Sequence, residues 1–208
     1  MSVSCVIVGL NEWERFTKPL LDSIYRNDPD LNVVCVDNGS DTPYPPIEKG
    51  MLIRSVERKP YAGGINIGMK AVIDDWVMVV NNDVLINKPV SQRIEALSPN
   101  ELHGFYLYHK DAQGLFDWDY LSGWCLILHK RLWDSVGDFD ENCKPMYFED
   151  ADFSVRAFRA GYRLNLHDRN DWGIVHLEDS RHKERREYMD RHMKERQAIK
   201  QYVRDKHG

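Results

Sequence analysis

Three apolar, β-rich runs that stop at a polar or acidic residue constrain this chain most. They are VSCVIVGL (3–10), NVVCVD (32–37) and the opening of WVMVVNNDVLI (76–86). The run Val77-Met78-Val79-Val80 shows no alternation with polar residues, so it reads as a strand buried on both faces. Such strands belong to a parallel sheet covered by helices. The intervening segments supply those helices. In EWERFTKPLLDSIYRN (12–27), Trp13, Phe16, Leu20 or Leu21, and Ile24 recur at helical spacing, with Pro19 expected to kink or shorten the helix. MLIRSVE (51–57) is a weaker third strand, and YAGGINIGMKAVIDD (61–75) opens with glycines and turns helical near Ile65. Strands alternating with helices predict an α/β fold with a parallel, doubly wound sheet.

The second half is patterned differently. HGFYLYH (103–109) alternates and precedes the turn KDAQG, which predicts one arm of a β-hairpin, and YLSGWCLILH (120–129) reads as one strand. A helix is expected from about Glu149, with Phe153, Ala157 and Phe158 on one side and Gly161 as its stop. YRLNL and WGIVHL are short strands. From Arg181 the chain is highly charged and predicts a surface helix docked by a thin stripe drawn from Tyr188, Met189, His192, Ile199 and Tyr202. Its basic clusters read as a solvated face rather than a phosphate site.

Composition narrows the function classes. The 208 residues are 42% apolar and 29% charged, with a net charge of −5, which argues against nucleic acid as the main partner. No apolar run approaches the roughly 20 residues of a membrane span. The start, MSVSCVIVGLNEWE, lacks the basic and long apolar regions of a signal peptide. Cys5, Cys35 and Cys125 lie in strand-like runs and Cys143 is remote from them, with no C-x-x-C, which fits a reducing, cytoplasmic setting.

Ligands of open α/β sheets bind outside the C-terminal strand ends. Asp37 and Asp83 therefore stand at a predicted crevice. Asp37 could accept hydrogen bonds from a base or ribose, or simply form a turn. Asp83, in Asn81-Asn82-Asp83, is costly to desolvate alone and suits Mg²⁺ or Mn²⁺ bound together with a diphosphate, or forms a strand-end Asx turn. YAGGINIG (61–68) is neither a P-loop nor a dinucleotide fingerprint, and its glycines could let a ligand approach the backbone. FEDAD (148–152) brings Glu149, Asp150 and Asp152 together at a helix start, where they suit the dipole or could supply a general base. His176, at a strand end, becomes a metal ligand if that end faces Asp83.

Taken in order, these motifs resemble those of the GT-A-fold nucleotide-sugar glycosyltransferases, in particular a family 2 group with many rhamnosyltransferase-like enzymes. The resemblance covers about residues 3–180 and is most specific over GDFDE…FEDADFSVRAFRAGY. It implies one GT-A domain over 1–208, a Rossmann-like α/β fold with a mostly parallel central sheet flanked by helices. Residues 1–90 would form the nucleotide-binding half, 91–180 an acceptor and catalytic half with a small β-hairpin region, and 181–208 the charged C-terminal helix. It implies that Val8, Gly9 and Asn11 border the nucleotide, that Asp37 meets the base, and that Gly64, Asn66 and Gly68 line the ribose and diphosphate. Asn81 and Asn82 would occupy the first two places of a D-x-D motif, Asn82 on the nucleotide side, with Asp83 kept as the metal ligand and His176 beside it. Asp150 would be the catalytic base, flanked by Glu149 and Asp152, with Gly123 and Trp124 in the sugar and acceptor pocket. The implied reaction moves a sugar from a UDP- or dTDP-sugar to a hydroxyl of an oligosaccharide, lipid-linked glycan or glycoprotein, with Mn²⁺ or Mg²⁺ and with inversion. The expected setting is soluble and cytoplasmic, or peripheral to a membrane through the acceptor. A sugar-1-phosphate nucleotidyltransferase and a non-catalytic nucleotide-sugar-binding or glycan-binding module are the alternatives.

Overall fold

The computed structural model describes residues 2–110, 115–177 and 192–208. A seven-stranded sheet runs through it in the order β10-β6-β9-β4-β1-β2-β3. Its N-terminal side comprises β1 (Val3–Gly9), β2 (Asn32–Asp37), β3 (Met51–Arg54) and β4 (Trp76–Asn81), all parallel. Beyond β4 comes β9 (Cys125–His129), antiparallel to both its neighbours, then β6 (Glu101–Gly104), to which β10 (Arg163–Leu166) adds in parallel. The sheet is thus mostly parallel, with one reversed strand inside it.

The apolar runs are continuous because both faces are covered. On one face Cys5, Ile7, Val33, Cys35, Met78 and Val80 pack with Leu20, Leu21 and Ile24 of α1 (Lys18–Asn27). On the other, Val6, Val8, Val34, Val36, Val77 and Val79 meet Ile65 and Met69 of α2 (Tyr61–Ala71), Leu132 of α4 (Lys130–Val136) and Phe153 of α5 (Glu149–Arg159). The short helix α3 (Ser91–Glu95) adds Ile94 to the first layer. All four cysteines are free and buried, and burial pushes the thiols of Cys5, Cys35, Cys125 and Cys143 up.

Several elements depart from the sequence expectation. The helix over 12–27 is divided into a π turn at Trp13–Thr17 and α1, with Pro19 in the first turn of α1, where its missing N–H costs least. Helix α2 begins at Tyr61, so Gly63 and Gly64 are helical rather than loop residues. The segment 103–109 is shared between β6 and β7 (Leu107–Tyr108), and 120–129 between β8 (Tyr120–Leu121) and β9; β7 and β8 form a separate antiparallel pair. Outside the main sheet, β5 (Val84–Ile86) pairs antiparallel with β11 (Ile174–His176), which follows the short helix α6 (Arg169–Trp172).

A C-terminal helix α7 (Met193–His207) docks through Ile199 and Val203 onto Leu115, Phe116, Cys143, Phe148 and Ala151. Tyr188 and Met189, and most of the KDAQG turn, lie outside the described residues. His192 is half-buried, and Tyr202 is exposed with its hydroxyl donating to Asp140 (2.7 Å). No helix among the described residues is long and apolar enough to cross a membrane.

Candidate active site

The strand ends β1 and β4, the β8–β9 break, the loop before α5 and the first turn of α7 open onto one cleft of about 750 Å³. Val8, Gly9, Leu10, Glu12, Asn81, Asn82 and Asp83 line one wall. Ser122, Gly123, Trp124, Tyr147, Phe148, Glu149 and Asp150 line the other.

The break at Ser122-Gly123-Trp124 builds much of that second wall. It takes the Gly123 N–H out of the strand ladder, and that N–H donates to Asp150 Oδ2 (2.7 Å). The Ala151 N–H donates to Oδ1 (2.8 Å). A Cβ on Gly123 would stand 2.9 Å from Asp150 Cβ, so only glycine lets the two backbones approach this closely. The chain enters α5 through Tyr147 (φ 93°) and Phe148 (φ 66°), left-handed conformations costing of order 1–3 kcal/mol each. Strain of this kind persists only where surrounding contacts hold it, and here it aims the next two residues, Glu149 and Asp150, at the cleft.

Those two carboxyls are both held above the usual carboxylate range. For Asp150 the cause is burial, opposed by the N–H groups of Gly123 and Ala151. For Glu149 it is burial and then the neighbouring Asp150 charge. Glu149 is 7% exposed, and its Oε2 is buried with no hydrogen-bond partner among the described residues.

On the opposite wall, the β5–β11 pairing carries His176 to Asp83, and Leu177 N–H donates to the Asp83 carbonyl (2.8 Å). His176 Nε2 lies 3.4 Å from Asp83 Oδ1, and both residues are buried. The imidazole stacks on the Trp124 ring, centroids 4.7 Å apart and planes 9° apart, which fixes its orientation. One carboxylate oxygen and one imidazole nitrogen at this spacing suit an Mn²⁺-like ion that takes its other ligands from phosphate and water. Among the described residues no cluster of three or more acidic, His or Cys side chains forms a complete metal cage.

Tyr61 joins the walls. Its hydroxyl donates to Asn81 Oδ1, and the Asn81 N–H donates to the Trp124 carbonyl (2.9 Å). Burial, then the charges of Glu149, Asp83 and Asp150, hold its phenol well up, so Tyr61 stays protonated and neutral. Asn82 is tied to Thr17 (3.0 Å) and lies at the rim.

Other expected site residues are used elsewhere. Asp37 is fully buried and outside the cleft lining; its carboxylate accepts from the Ser40 N–H (2.9 Å), the Tyr44 N–H (3.1 Å) and Arg54. Burial alone would raise its pKa, but these donors outweigh it and the net shift is downward. These contacts organise its own turn. Asn11 bonds to Asp41 and Ser40 and braces the first loop. Gly64 and Gly68 face β1: a Cβ on Gly64 would lie 2.6 Å from Val8, and Gly68 meets Val6 in the same way. They allow close helix–sheet packing, not ligand approach. Asn66 is buried and pairs with the Phe139 backbone (2.9 Å in each direction). Asp152 is also off the cleft, bound to Arg156 (2.8 Å), Lys206 (2.6 Å) and His207 (2.8 Å), which overcome the upward push of burial and lower its pKa.

Sequence reasoning missed Tyr61, Arg58, Lys59, Tyr120 and Arg196, all in the cleft lining. Tyr61 and Tyr120 open segments read for their glycines and their strand pattern, and the three basic residues carry no pattern at all; tertiary packing brings all five to the cleft.

The chain spans little more than half the length of two similar solved structures. One is a mannosyltransferase from Pyrobaculum calidifontis in complex with GDP-Man and Mn²⁺, 15% identical, TM-score 0.61, covering 80% of this chain and 54% of that one. The other is S. aureus TarS residues 1–349 in complex with UDP, 19% identical, TM-score 0.62, covering 81% and 58%. No curated protein sequence matches the chain. The sequence model of glycosyl transferase family 2 matches residues 4–137, which takes in the first strand ends and the β8–β9 break but ends before Asp150 and His176. A mostly parallel sheet with a cleft at its strand ends, and a family match over well over half the chain, lead to one assignment: the chain belongs to glycosyl transferase family 2 and has a GT-A fold.

Proposed function

We propose that the chain transfers a sugar from a UDP-sugar, or next a dTDP-sugar, to a hydroxyl of a glycan acceptor, with inversion and with dependence on Mn²⁺ or Mg²⁺. One observation carries this reading: a single cleft is lined by Asp83, with His176 3.4 Å from its carboxylate, and by the Asp150 carboxyl, with Tyr61 within the field of both. The structural relatives that hold GDP-Man and UDP support a nucleotide donor.

In this reading the donor lies along the strand ends, its nucleotide near Val8, Gly9 and the Arg58–Lys59 rim. Asp83 and His176 hold the cation, which when bound supplies positive charge beside the leaving diphosphate. Asp150 is the general base. Its raised proton affinity suits removal of a hydroxyl proton as the C–O bond forms, while the Gly123 N–H keeps Oδ2 in place. The acceptor oxygen attacks the anomeric carbon from the face opposite the nucleotide. The anomeric carbon–oxygen bond to the diphosphate breaks, and the configuration inverts. Trp124 and Gly123 shape the space for the sugar. Glu149 adds a second acidic group next to Asp150, and burial together with the Asp150 charge raises its proton affinity.

Calorimetry with UDP, dTDP and GDP, each with and without Mn²⁺, tests the donor side. Tighter binding of UDP or dTDP than GDP, at least tenfold stronger with Mn²⁺, is expected. Equal binding with and without the ion would remove the cation from the proposal. Mn²⁺-dependent release of UDP from UDP-sugars separates transfer chemistry from mere donor binding.

A further inference from the structure

The helix α7 sends one side chain into the cleft. Arg196 lies in its lining, with the guanidinium carbon 5.0 Å from the Phe148 ring centroid and 5.7 Å from that of Tyr147. These are the residues immediately before Glu149 and Asp150. Among the described residues Arg196 pairs with no carboxylate, its side chain makes no hydrogen bond, and its Nε is buried without a partner. Lys206, on the same helix, shows what an ordinary basic residue does here: it pairs with Asp140 and Asp152. Arg196 is spared that pairing and fixed on two aromatic faces, a cation–π arrangement that holds a guanidinium plane while leaving its N–H edge for another group.

The surroundings give the ligand its character. Tyr108 and Tyr120 stack face to face (4.7 Å, 16°) in the same cleft, and the Tyr120 phenol feels both Asp150 and Arg196. Arg196 therefore belongs to the wall that carries the base. The nearby carboxyls of Glu149 and Asp150, when ionised, would repel an acidic acceptor unless a cation offset them.

We propose that Arg196 and this aromatic wall form an acceptor subsite for a sugar bearing an oxyanion, a carboxylate or phosphate, near the attacked hydroxyl. The guanidinium fork binds the oxyanion and the rings cover the apolar sugar face. This rests on the transferase reading above and names its acceptor class.

The test uses the full chain saturated with UDP and Mn²⁺, UDP binding being measured first by calorimetry. Methyl β-D-glucuronide, glucose 6-phosphate and methyl β-D-glucoside are then titrated by ligand-observed NMR. At least one anionic probe should bind about tenfold tighter than the neutral glucoside, one charge-assisted hydrogen bond's worth. The two anionic probes separate carboxylate from phosphate. Arg196→Ala should abolish the difference and Arg196→Lys keep part of it, both leaving UDP affinity within about twofold. Comparing the probes on the unaltered chain needs no variant, so a misfolded Arg196→Ala leaves the test intact. Equal binding of all three probes overturns the subsite, as does a loss of UDP rather than of the anionic probe in a folded variant. Failure of UDP to bind at all strikes the transferase reading instead.

Discussion

One wall of the cleft is made where parallel strands end; the other is made where a strand breaks. The first wall, Val8 to Glu12 and Asn81 to Asp83, follows from regular structure, because β1 and β4 stop in register and leave their next residues at one rim. The second wall needs the interruption between β8 and β9, two left-handed residues before α5 and a helix from the far end of the chain. The difference teaches where precision is held. A strand end places a residue through the whole hydrogen-bonded sheet. The Asp150 carboxyl is placed by two N–H groups and a glycine-sized gap, so single atoms should matter more there.

The largest expected effect comes from Asp150→Asn, which keeps shape and removes the base. Transfer should fall roughly 10²–10⁴-fold while UDP–Mn²⁺ affinity stays within a few-fold, since the donor wall is untouched. Steady-state turnover and calorimetry on one preparation check it. If the variant keeps most of its turnover, Asp150 is not the base. A single methyl group tests the same wall next. Gly123→Ala must push Cβ against Asp150, 2.9 Å away, and shift the carboxyl from its N–H donor. A displacement near 1 Å is worth about 10²-fold in rate, with a stability loss of about 1–3 kcal/mol from overcrowding. The corresponding methyl on the strand-end wall is not a fair control, because Gly9 is packed against Tyr44 and Thr17. Full activity in Gly123→Ala would mean that the break does not position the base.

The same contrast explains what the sequence could tell. The apolar runs marked β1, β2 and β4 nearly to the residue, because a strand buried on both faces cannot hide its composition. The metal-side pair was half legible: Asp83 ends such a run, but His176 reaches it through a β5–β11 pairing across about 90 residues of chain that no local pattern records. Gly64 and Gly68 stand four apart in a helix, so they share one face, and that spacing alone fits packing on β1 as well as ligand approach. Asp150 and Asp152 were separable in principle. Two residues along a helix is a turn of about 200°, so both cannot face one cleft. Arg156, one turn after Asp152, already named the partner that takes it away. Arg196 was not legible, because a basic residue on a charged helix looks the same whether it meets water or a cleft.

The smallest effect sharpens the comparison through stability rather than rate. Glu149 holds its proton more tightly in the folded protein than it would unfolded, because burial and Asp150 disfavour its charge. Its contribution to stability is therefore fully present below the ordinary Glu range and is lost as pH rises through the raised folded value. Asp152 has the opposite sign: its lowered value gives stability above the ordinary Asp range that is lost as pH falls. Glu149→Gln should accordingly raise the melting temperature at pH 9, by about 2–4 °C for a gain near 1 kcal/mol in a chain of this size, and change it little at pH 5. Thermal unfolding across that pH range without added metal measures it. A variant that is less stable at every pH would mean that the Glu149 carboxylate has a stabilising partner, and that this wall of the cleft is not under electrostatic strain.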